Sequence, residues 1–263
     1  MKREIHVFFT ALMFYTRIPC PRWVDHDPAF LNQSIRYFPL IGWIVGGISG
    51  LVFYVIGLYI SIPAAIVTSL IVSVLLTGAF HEDGFADTCD AFGGGWTRQK
   101  ILDIMKDSRL GTYGVMGLIL LMSLKMSLLY EFANINQLTI LSVLLFFIAS
   151  HAVSRFTAST FVFTHEYARD SNDSKAKPVA EQTSLVNLLI GLVWTIIPVV
   201  FLAYTVNNYW TILIFVPAYL TKYFLARYFK KWIGGYTGDC LGATQQVTEI
   251  FSYLYLILLW KFV

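Results

Sequence analysis

Residues 62–90 read IPAAIVTSLIVSVLLTGAFHEDGFADTCD, and this stretch decides the fold class. Its first 19 positions contain no charged side chain, whereas its last ten contain four carboxylates. A helix needs about 20 mainly apolar residues to cross the roughly 30 Å hydrocarbon core of a bilayer. The stretch therefore predicts a membrane-spanning helix that ends in an acidic block at the membrane surface.

The composition of the whole chain agrees with a membrane protein. Of 263 residues, 57% are hydrophobic and only 13% are charged, and the mean hydropathy is +0.64. This composition excludes a disordered chain and a coiled-coil rod. A net charge of +3 without a dense basic face argues against nucleic-acid binding. The three cysteines lie far apart, which argues against a disulfide framework and a structural zinc site.

The apolar segments predict an all-α, polytopic bundle of about seven transmembrane helices in one domain, residues 1–263. The short apolar stretch Ile5–Thr16 precedes them and predicts a helix that lies at the membrane interface. The predicted spans are Phe38–Ile60, Ile62–Phe80, Tyr113–Tyr130, Leu138–Phe161, Leu185–Tyr204, Trp210–Ala226 and Val247–Trp260.

The distribution of Lys and Arg predicts the orientation of this bundle. Five of the 19 basic residues precede the first span, and ten lie in the polar segments 81–112, 162–184 and 227–246. The three short hairpins between the other span ends contain none. By the positive-inside rule, we expect the N-terminus and the three polar segments on the cytoplasmic side of the cell (inner) membrane.

The acidic block predicts a site for a divalent cation. Asp83, Asp87 and Asp90 are spaced i, i+4 and i+7, so they share one face of a helix. Crowded carboxylates repel one another unless a cation lies between them, and oxygen ligands favour Mg²⁺. A solvated acidic helix turn is the alternative interpretation.

Two further polar segments carry groups suited to phosphate. In Met105–Gly114, Lys106 and Arg109 stand beside Asp107, and together with a metal they could neutralise a diphosphate. The loop Gly234–Gly242 is rich in glycine and offers backbone N–H groups to an anion, although it could equally be an ordinary turn.

Lys125 and Arg155 lie within predicted spans, where charge is costly. They could snorkel, lie near span ends that are placed wrongly, form structural ion pairs, or line a polar cavity that opens towards the acidic block.

These segments resemble the cobalamin (5'-phosphate) synthase family over nearly the whole chain. The resemblance begins at Thr16–Pro19 and Tyr37–Gly42, and it is most specific in three blocks. They are H-x-D-G-x-A-D-x-x-D at His81–Asp90, M-[KR]-D-S-R-[IL]-G-T-x-G at Met105–Gly114, and G-G-x-T-G-D-x-L-G-A from Gly234. The chain departs from the family pattern at Gln246, where members often have Glu, and at Glu82, where Leu is common.

The resemblance implies a Mg²⁺-dependent transferase with two substrates, adenosylcobinamide-GDP and α-ribazole or its 5'-phosphate. A ribazole hydroxyl attacks the cobinamide-side phosphorus, and GMP leaves. The other expected partners are the lipid bilayer around the chain and, as one option, further copies of the chain in a homo-oligomer. The expected metal ligands are Glu82, Asp83, Asp87 and Asp90; the expected catalytic residues are Asp90, Asp107, Lys106 and Arg109; the expected substrate-binding residues are Ser108, Arg155, Thr237 and Asp239.

Two other functions compete with this interpretation. The Asp83-Gly84-x-Ala86 spacing is similar to that of CDP-alcohol phosphotransferases, but Asp87 stands where their pattern has Arg. A cation-coupled transporter could use Lys125, Arg155 and the acids, but the acidic block has no second copy.

Overall fold

The structure, a computed structural model, describes residues 2–24, 28–135, 139–168 and 184–262. Within these ranges the chain forms eleven α-helices and no strand. Short 3-10 helices at Ile35–Tyr37 and Tyr209–Ile214 precede two of them. The helices are α1 (Lys2–Tyr15), α2 (Pro28–Ser34), α3 (Phe38–Tyr59), α4 (Ile62–Thr77), α5 (Phe80–Gly94), α6 (Arg98–Lys106), α7 (Thr112–Ala133), α8 (Ile140–Thr164), α9 (Leu185–Thr205), α10 (Phe215–Ile233) and α11 (Gly238–Phe262).

The helical, multi-pass architecture is confirmed, but the number of apolar spans is lower than predicted. Among the described residues, five helices are long and apolar enough to cross a membrane, or six if the bent pair α4 and α5 counts as one span. The sequence predicted seven. Most of the predicted polar segment 162–184 lies outside the described residues, as does Leu138.

The predicted span Ile62–Phe80 ends early because the chain bends by 90° between α4 and α5. Gly78 and Ala79 both adopt left-handed backbone conformations, with φ of 65° and 59°. The Gly78 conformation ends α4 as a C-cap, the position where glycine is favoured because it has no Cβ. The N–H group of Arg17 donates to the carbonyl of Leu76 at 2.7 Å and holds the bend against the segment after α1.

The last predicted span, Val247–Trp260, lies inside α11, which is not among the apolar spans. α11 nevertheless traverses the bundle. Its first turn packs against Gly84 of α5, and Lys261 at its other end pairs with Glu131 at the end of α7. At 1.5 Å per residue, its 25 residues extend about 37 Å. α11 is polar because its neighbours, rather than lipid, surround its first half.

Close packing of α3 on α8 fixes the depth of the polar residues on α8. A Cβ atom at Gly42 would lie 2.6 Å from the carbonyl oxygen of His151, and one at Gly46 would lie 2.7 Å from that of Phe147. Small residues at this spacing let two helix backbones approach directly. Aromatic rings, including the stacked pair Phe132 and Phe146 at 3.9 Å, fill the end of the bundle at the α7–α8 hairpin.

Candidate active site

The four acidic residues of α5 lie in different environments. Asp83 is exposed and Asp87 is half-buried, whereas Glu82 and Asp90 are buried. A helix turns by about 100° per residue, so Glu82 points into the bundle while Asp83 points out of it. The structure therefore divides the predicted four-carboxylate set into the exposed Asp83, the half-buried Asp87 and two buried side chains.

Glycines bring α5 against the start of α11. A Cβ atom at Gly84 would lie 3.1 Å from the Cα atom of Asp239 and 3.4 Å from that of Gly242. Gly84 lies between Asp83 and Asp87 in sequence, so the start of α11 at Asp239 packs against the same turn of α5. The His81–Asp90 and Gly234–Gly242 blocks, more than 140 residues apart in sequence, meet here.

Both carboxylate oxygens of Asp90 accept hydrogen bonds from the backbone at the start of α7. Its Oδ2 atom accepts a hydrogen bond from the backbone N–H of Gly111 at 2.7 Å, and its Oδ1 atom accepts one from Gly114 at 2.8 Å. A Cβ at Gly111 would lie 2.5 Å from Oδ1, which explains the glycine. A carboxylate at a helix N-terminus satisfies donors that have no partner within the helix. This arrangement favours a positioning role for Asp90 over the metal-binding and catalytic roles expected from the sequence.

Arg109 and Asp107 form an exposed bidentate pair. The Nη2 atom of Arg109 lies 2.6 Å from Oδ2 of Asp107, and its Nε atom lies 3.0 Å from Oδ1. Hydrogen bonding to Asp107, followed by the charge of that carboxylate, raises the pKa of Arg109. Lys106 is half-buried, and Ser108 is exposed beside the pair. Lys106 ends α6, and the other three residues follow it in the link between α6 and α7.

Thr237 caps α11 and is not accessible to a substrate. Its side chain is fully buried, accepts from the N–H group of Cys240 at 3.3 Å, and lies 3.5 Å from Sδ of Met105 on α6. The substrate-binding role expected for Thr237 is therefore replaced by a structural one. Asp239, two residues later, is half-buried at the surface of the site.

The two departures from the family pattern contact each other. Nε2 of Gln246 on α11 donates to Oε1 of Glu82 on α5 at 3.0 Å, and both side chains are buried. The other carboxylate oxygen of Glu82 is enclosed and has no hydrogen-bond partner among the described residues. This buried contact links α5 to α11 and does not support Glu82 as a metal ligand.

Beneath α5, a buried network joins α7, α8 and α11. Its centre is Glu249, whose carboxylate accepts from Nζ of Lys125 at 2.7 Å, from Nε2 of Gln245 at 2.7 Å and from the hydroxyl of Tyr253 at 3.2 Å. The two charged side chains are each 3% exposed. The structure thus gives Lys125 a structural ion pair, one of the alternatives left open by the sequence.

Arg155 belongs to the same interior and cannot touch a substrate in this structure. It is 1% exposed, its Nη1 atom lies 2.9 Å from Nδ1 of His151, and its guanidinium lies 5.8 Å from the ring centre of Phe38. The predicted substrate-binding role of Arg155 is therefore not supported. The guanidinium is instead enclosed by α3 and α8.

Sequence reasoning missed His151 and Gln245 as members of this network. The spacing offered a signal, because His151 and Arg155 are four residues apart, as are Gln245, Glu249 and Tyr253. Polar residues at helical spacing within an apolar helix predict an inward-facing polar stripe.

The described residues contain no group of three or more His, Cys, Asp or Glu side chains arranged to hold a metal ion. The donor set is nevertheless compatible with Mg²⁺. This ion commonly takes only one or two protein carboxylates and completes its shell with water and substrate phosphates. Asp83 and Asp87, four residues apart on α5, carry two carboxylates of the kind that would suit this ion.

Comparison with known proteins identifies the family. The family model for cobalamin-5-phosphate synthase matches residues 7–257. An adenosylcobinamide-GDP ribazoletransferase of Shewanella frigidimarina is 43% identical over 255 residues, which cover 97% of this chain and 95% of the relative. The enzyme of the same name from Shewanella piezotolerans is 43% identical over 98% of this chain and 96% of its own length. No solved structure matches the chain. The chain therefore belongs to the cobalamin-5-phosphate synthase family.

Proposed function

We propose that the chain is an adenosylcobinamide-GDP ribazoletransferase that acts in cobalamin synthesis. It would join adenosylcobinamide-GDP to α-ribazole or its 5'-phosphate and release GMP. The observation that carries this proposal is the contact between α5 and α11, which packs the backbone of Asp239 against Gly84, between Asp83 and Asp87 in sequence. The family membership supports the choice of substrates.

In the proposed reaction, a ribazole hydroxyl forms a bond to the cobinamide-side phosphorus. The bond from that phosphorus to the bridging oxygen breaks, and GMP leaves with the electron pair. We assign Asp107 as the group that accepts the hydroxyl proton, because it lies in an exposed segment. Asp90 is less suited, because both of its oxygens already accept backbone hydrogen bonds.

Lys106 and Arg109 are proposed to bind the diphosphate. Arg109 presents a planar guanidinium that can take two phosphate oxygens, and its side chain is 87% exposed. A bound phosphate would compete with Asp107 for this guanidinium. Phosphate binding at Arg109 would thereby release the Asp107 carboxylate to accept the proton of the attacking hydroxyl.

Mg²⁺ is part of the proposal, with Asp83 and Asp87 as its protein ligands. Bound there, the ion would supply positive charge to the diphosphate oxygens. Titration of the purified chain with Mn²⁺, followed by electron paramagnetic resonance, tests this assignment without an activity assay. We expect saturable binding that Asp83→Asn weakens by at least about tenfold, as expected when one of few carboxylate ligands is lost. Unchanged binding would contradict the assignment.

The experiment that tests the function is incubation of the reconstituted chain with Mg²⁺, adenosylcobinamide-GDP and α-ribazole. We expect release of GMP and formation of adenosylcobalamin in equal amounts. α-Ribazole 5'-phosphate in a parallel reaction identifies the preferred acceptor. CMP formation from a CDP-alcohol, with no GMP released, would instead identify a phospholipid-type phosphotransferase.

We also propose that the N-terminus and the active site face the cytoplasm of the cell (inner) membrane. The basic residues on α6 and in the second half of α10 support this orientation. An impermeant thiol reagent applied to intact cells tests it, with a single cysteine introduced at Lys100 or at Tyr209 after the three native cysteines are replaced. We expect labelling only at position 209, and labelling only at position 100 would reverse the orientation.

A further inference from the structure

A cationic cleft lies outside the proposed active site, between α10 and the end of α8. Its volume is about 250 Å³. Among the described residues that line it there are three cations, one histidine and two tyrosines, and no carboxylate. The lining residues are His165, Tyr219, Lys222, Tyr223, Ala226, Arg227 and Lys230.

The three cations of the cleft share one side of α10. Lys222 and Lys230 are eight residues apart, which places them on the same helix face about 12 Å apart along the axis. Within the described chain, no carboxylate lies at ion-pair distance from Lys222, Arg227 or Lys230. By contrast, Lys125 inside the bundle and Lys261 at its end each pair with a glutamate.

The neighbours of these cations are neutral. Nζ of Lys222 lies 3.5 Å from the carbonyl oxygen of Thr160 and 5.8 Å from the ring centre of Phe161. Nη1 of Arg227 donates to the hydroxyl of Tyr223 at 2.9 Å. The positive charge of the cleft is therefore left for an anion to neutralise.

His165 reports the same local charge from the α8 side. Burial lowers its pKa, and the positive charges of Lys222 and Lys230 lower it further. The charges of both lysines therefore reach the His165 ring at the end of α8. An anion bound in the cleft would raise the pKa of His165 again.

An apolar surface adjoins the cleft. Val216, Leu220 and Phe224 follow one another at four-residue intervals on α10, and all three are exposed. They belong to the candidate span Tyr209–Ile233, where exposed apolar side chains meet lipid. A ligand with a phosphate at one end and acyl chains at the other would match both surfaces.

We propose that this cleft binds the phosphate headgroup of an anionic phospholipid. Lys222, Arg227 and Lys230 would contact the phosphate, and the hydroxyls of Tyr219 and Tyr223 would add hydrogen bonds to the headgroup. The acyl chains would lie along Val216, Leu220 and Phe224. The neighbouring apolar surface is the reason to choose a lipid over a soluble phosphate.

Native mass spectrometry of the full chain from nanodiscs tests the proposal, with phosphatidylglycerol and phosphatidylcholine as probes. We expect retained phosphatidylglycerol in the wild type. A basic residue near a membrane surface contributes about 1 kcal/mol, so each lost cation should weaken retention about fivefold. K222Q/K230Q should therefore weaken it about 25-fold. K231Q is the matched control, because Lys231 is on the same helix but outside the cleft.

Four results would overturn the proposal: equal retention by K222Q/K230Q and wild type, an equal loss in K231Q, equal retention of phosphatidylcholine, or displacement of the lipid by millimolar inorganic phosphate. Thermal unfolding in phosphatidylcholine nanodiscs shows whether each variant is folded. R227Q provides a second test should K222Q/K230Q fail to fold, because Arg227 is exposed. We expect about fivefold weaker retention in R227Q.

Discussion

Two Lys–Glu pairs connect the same helices, α7 and α11, in opposite environments. Lys125 and Glu249 are each 3% exposed and lie inside the bundle, where Glu249 also accepts from Gln245 and Tyr253. Lys261 and Glu131 pair at the end of the bundle, with side chains 37% and 47% exposed. Removing one member of a buried pair leaves an uncompensated charge, whereas water solvates the remaining member of an exposed pair.

The same distinction separates the two neighbouring carboxylates at the start of α5, of which only Asp83 belongs to the proposed active site. Asp83 is exposed at the site, whereas Glu82, its neighbour in sequence, is buried against Gln246. Deeper in the bundle, Glu249 is tolerated because Lys125 supplies a counter-charge, whereas Glu82 receives a single hydrogen bond from Gln246. At the surface, a carboxylate is available to a metal or a substrate. Burial therefore assigns structural roles to some charges and leaves the others for chemistry.

The largest expected effect is on turnover, and it comes from replacing the exposed carboxylate of Asp83. Asp83→Asn should lower turnover by at least about a thousandfold, because metal-assisted phosphoryl transfer would lose several kcal/mol of barrier stabilisation. The thermal midpoint should stay the same, because the side chain is exposed. The measurement is GMP release alongside a thermal melt. Asp103→Asn on α6 is the control and should keep full activity, since Asp103 contacts Gln99 only at the surface. Normal turnover in Asp83→Asn would remove Asp83 from the site.

Glu249→Gln should have the largest effect on stability. It leaves Lys125 buried without its counter-charge, which costs about 3–5 kcal/mol of the free energy of unfolding. The measurement is unfolding of the reconstituted protein by heat or denaturant. Adding Lys125→Met should recover most of the loss, because neither charge is then left alone. No recovery in the double variant would mean that the pair does not account for the loss.

Exchanging the side chains at positions 82 and 246 tests whether the role of Glu82 is its structural contact with Gln246. Gln246→Glu places two buried carboxylates in contact and should cost about 2–3 kcal/mol of the free energy of unfolding, because a hydrogen bond is replaced by repulsion. The exchanged variant Glu82→Gln with Gln246→Glu should recover the stability and the GMP-release activity. Recovery of stability without activity would restore Glu82 as a candidate metal ligand.

Arg109→Ala should change substrate capture rather than stability. We expect KM for adenosylcobinamide-GDP to rise about tenfold with kcat within about threefold of wild type, because a bidentate phosphate contact is lost. Steady-state kinetics measures both constants. Lys100→Ala, an exposed cation on α6, is the control and should leave KM unchanged. An unchanged KM in Arg109→Ala would contradict the phosphate-binding role.

The smallest expected effect is that of Lys261→Met, the exposed counterpart of the buried pair. Surface ion pairs contribute about 0–1 kcal/mol, so the free energy of unfolding should fall by less than about 1 kcal/mol. Salt should reduce even this difference. A loss as large as that in Glu249→Gln would show that exposure does not distinguish the two pairs.

Local sequence predicted part of the candidate site. The i, i+4 spacing placed Asp83 and Asp87 on one helix face, and the motif around Asp107 indicated the group beside Arg109. The local sequence did not predict that Asp83 is exposed and Glu82 is buried, because that difference depends on how α11 packs on α5. Asp90 and Thr237 are residue types that often have catalytic or binding roles. In the structure, Asp90 accepts hydrogen bonds from the start of α7, and Thr237 accepts one from the first turn of α11.

The sequence by itself determined that the chain is a helical, multi-pass membrane protein. Charged groups are costly in lipid, so segments that cross the bilayer must be long and apolar, and such segments are visible in the sequence. Only the tertiary structure decided that α4 ends in a 90° bend and that α11 is a polar helix inside the bundle. Hydropathy measures the transfer of a segment into lipid. It does not record which side chain of another helix will compensate a buried charge, and Lys125 and Glu249 are 124 residues apart.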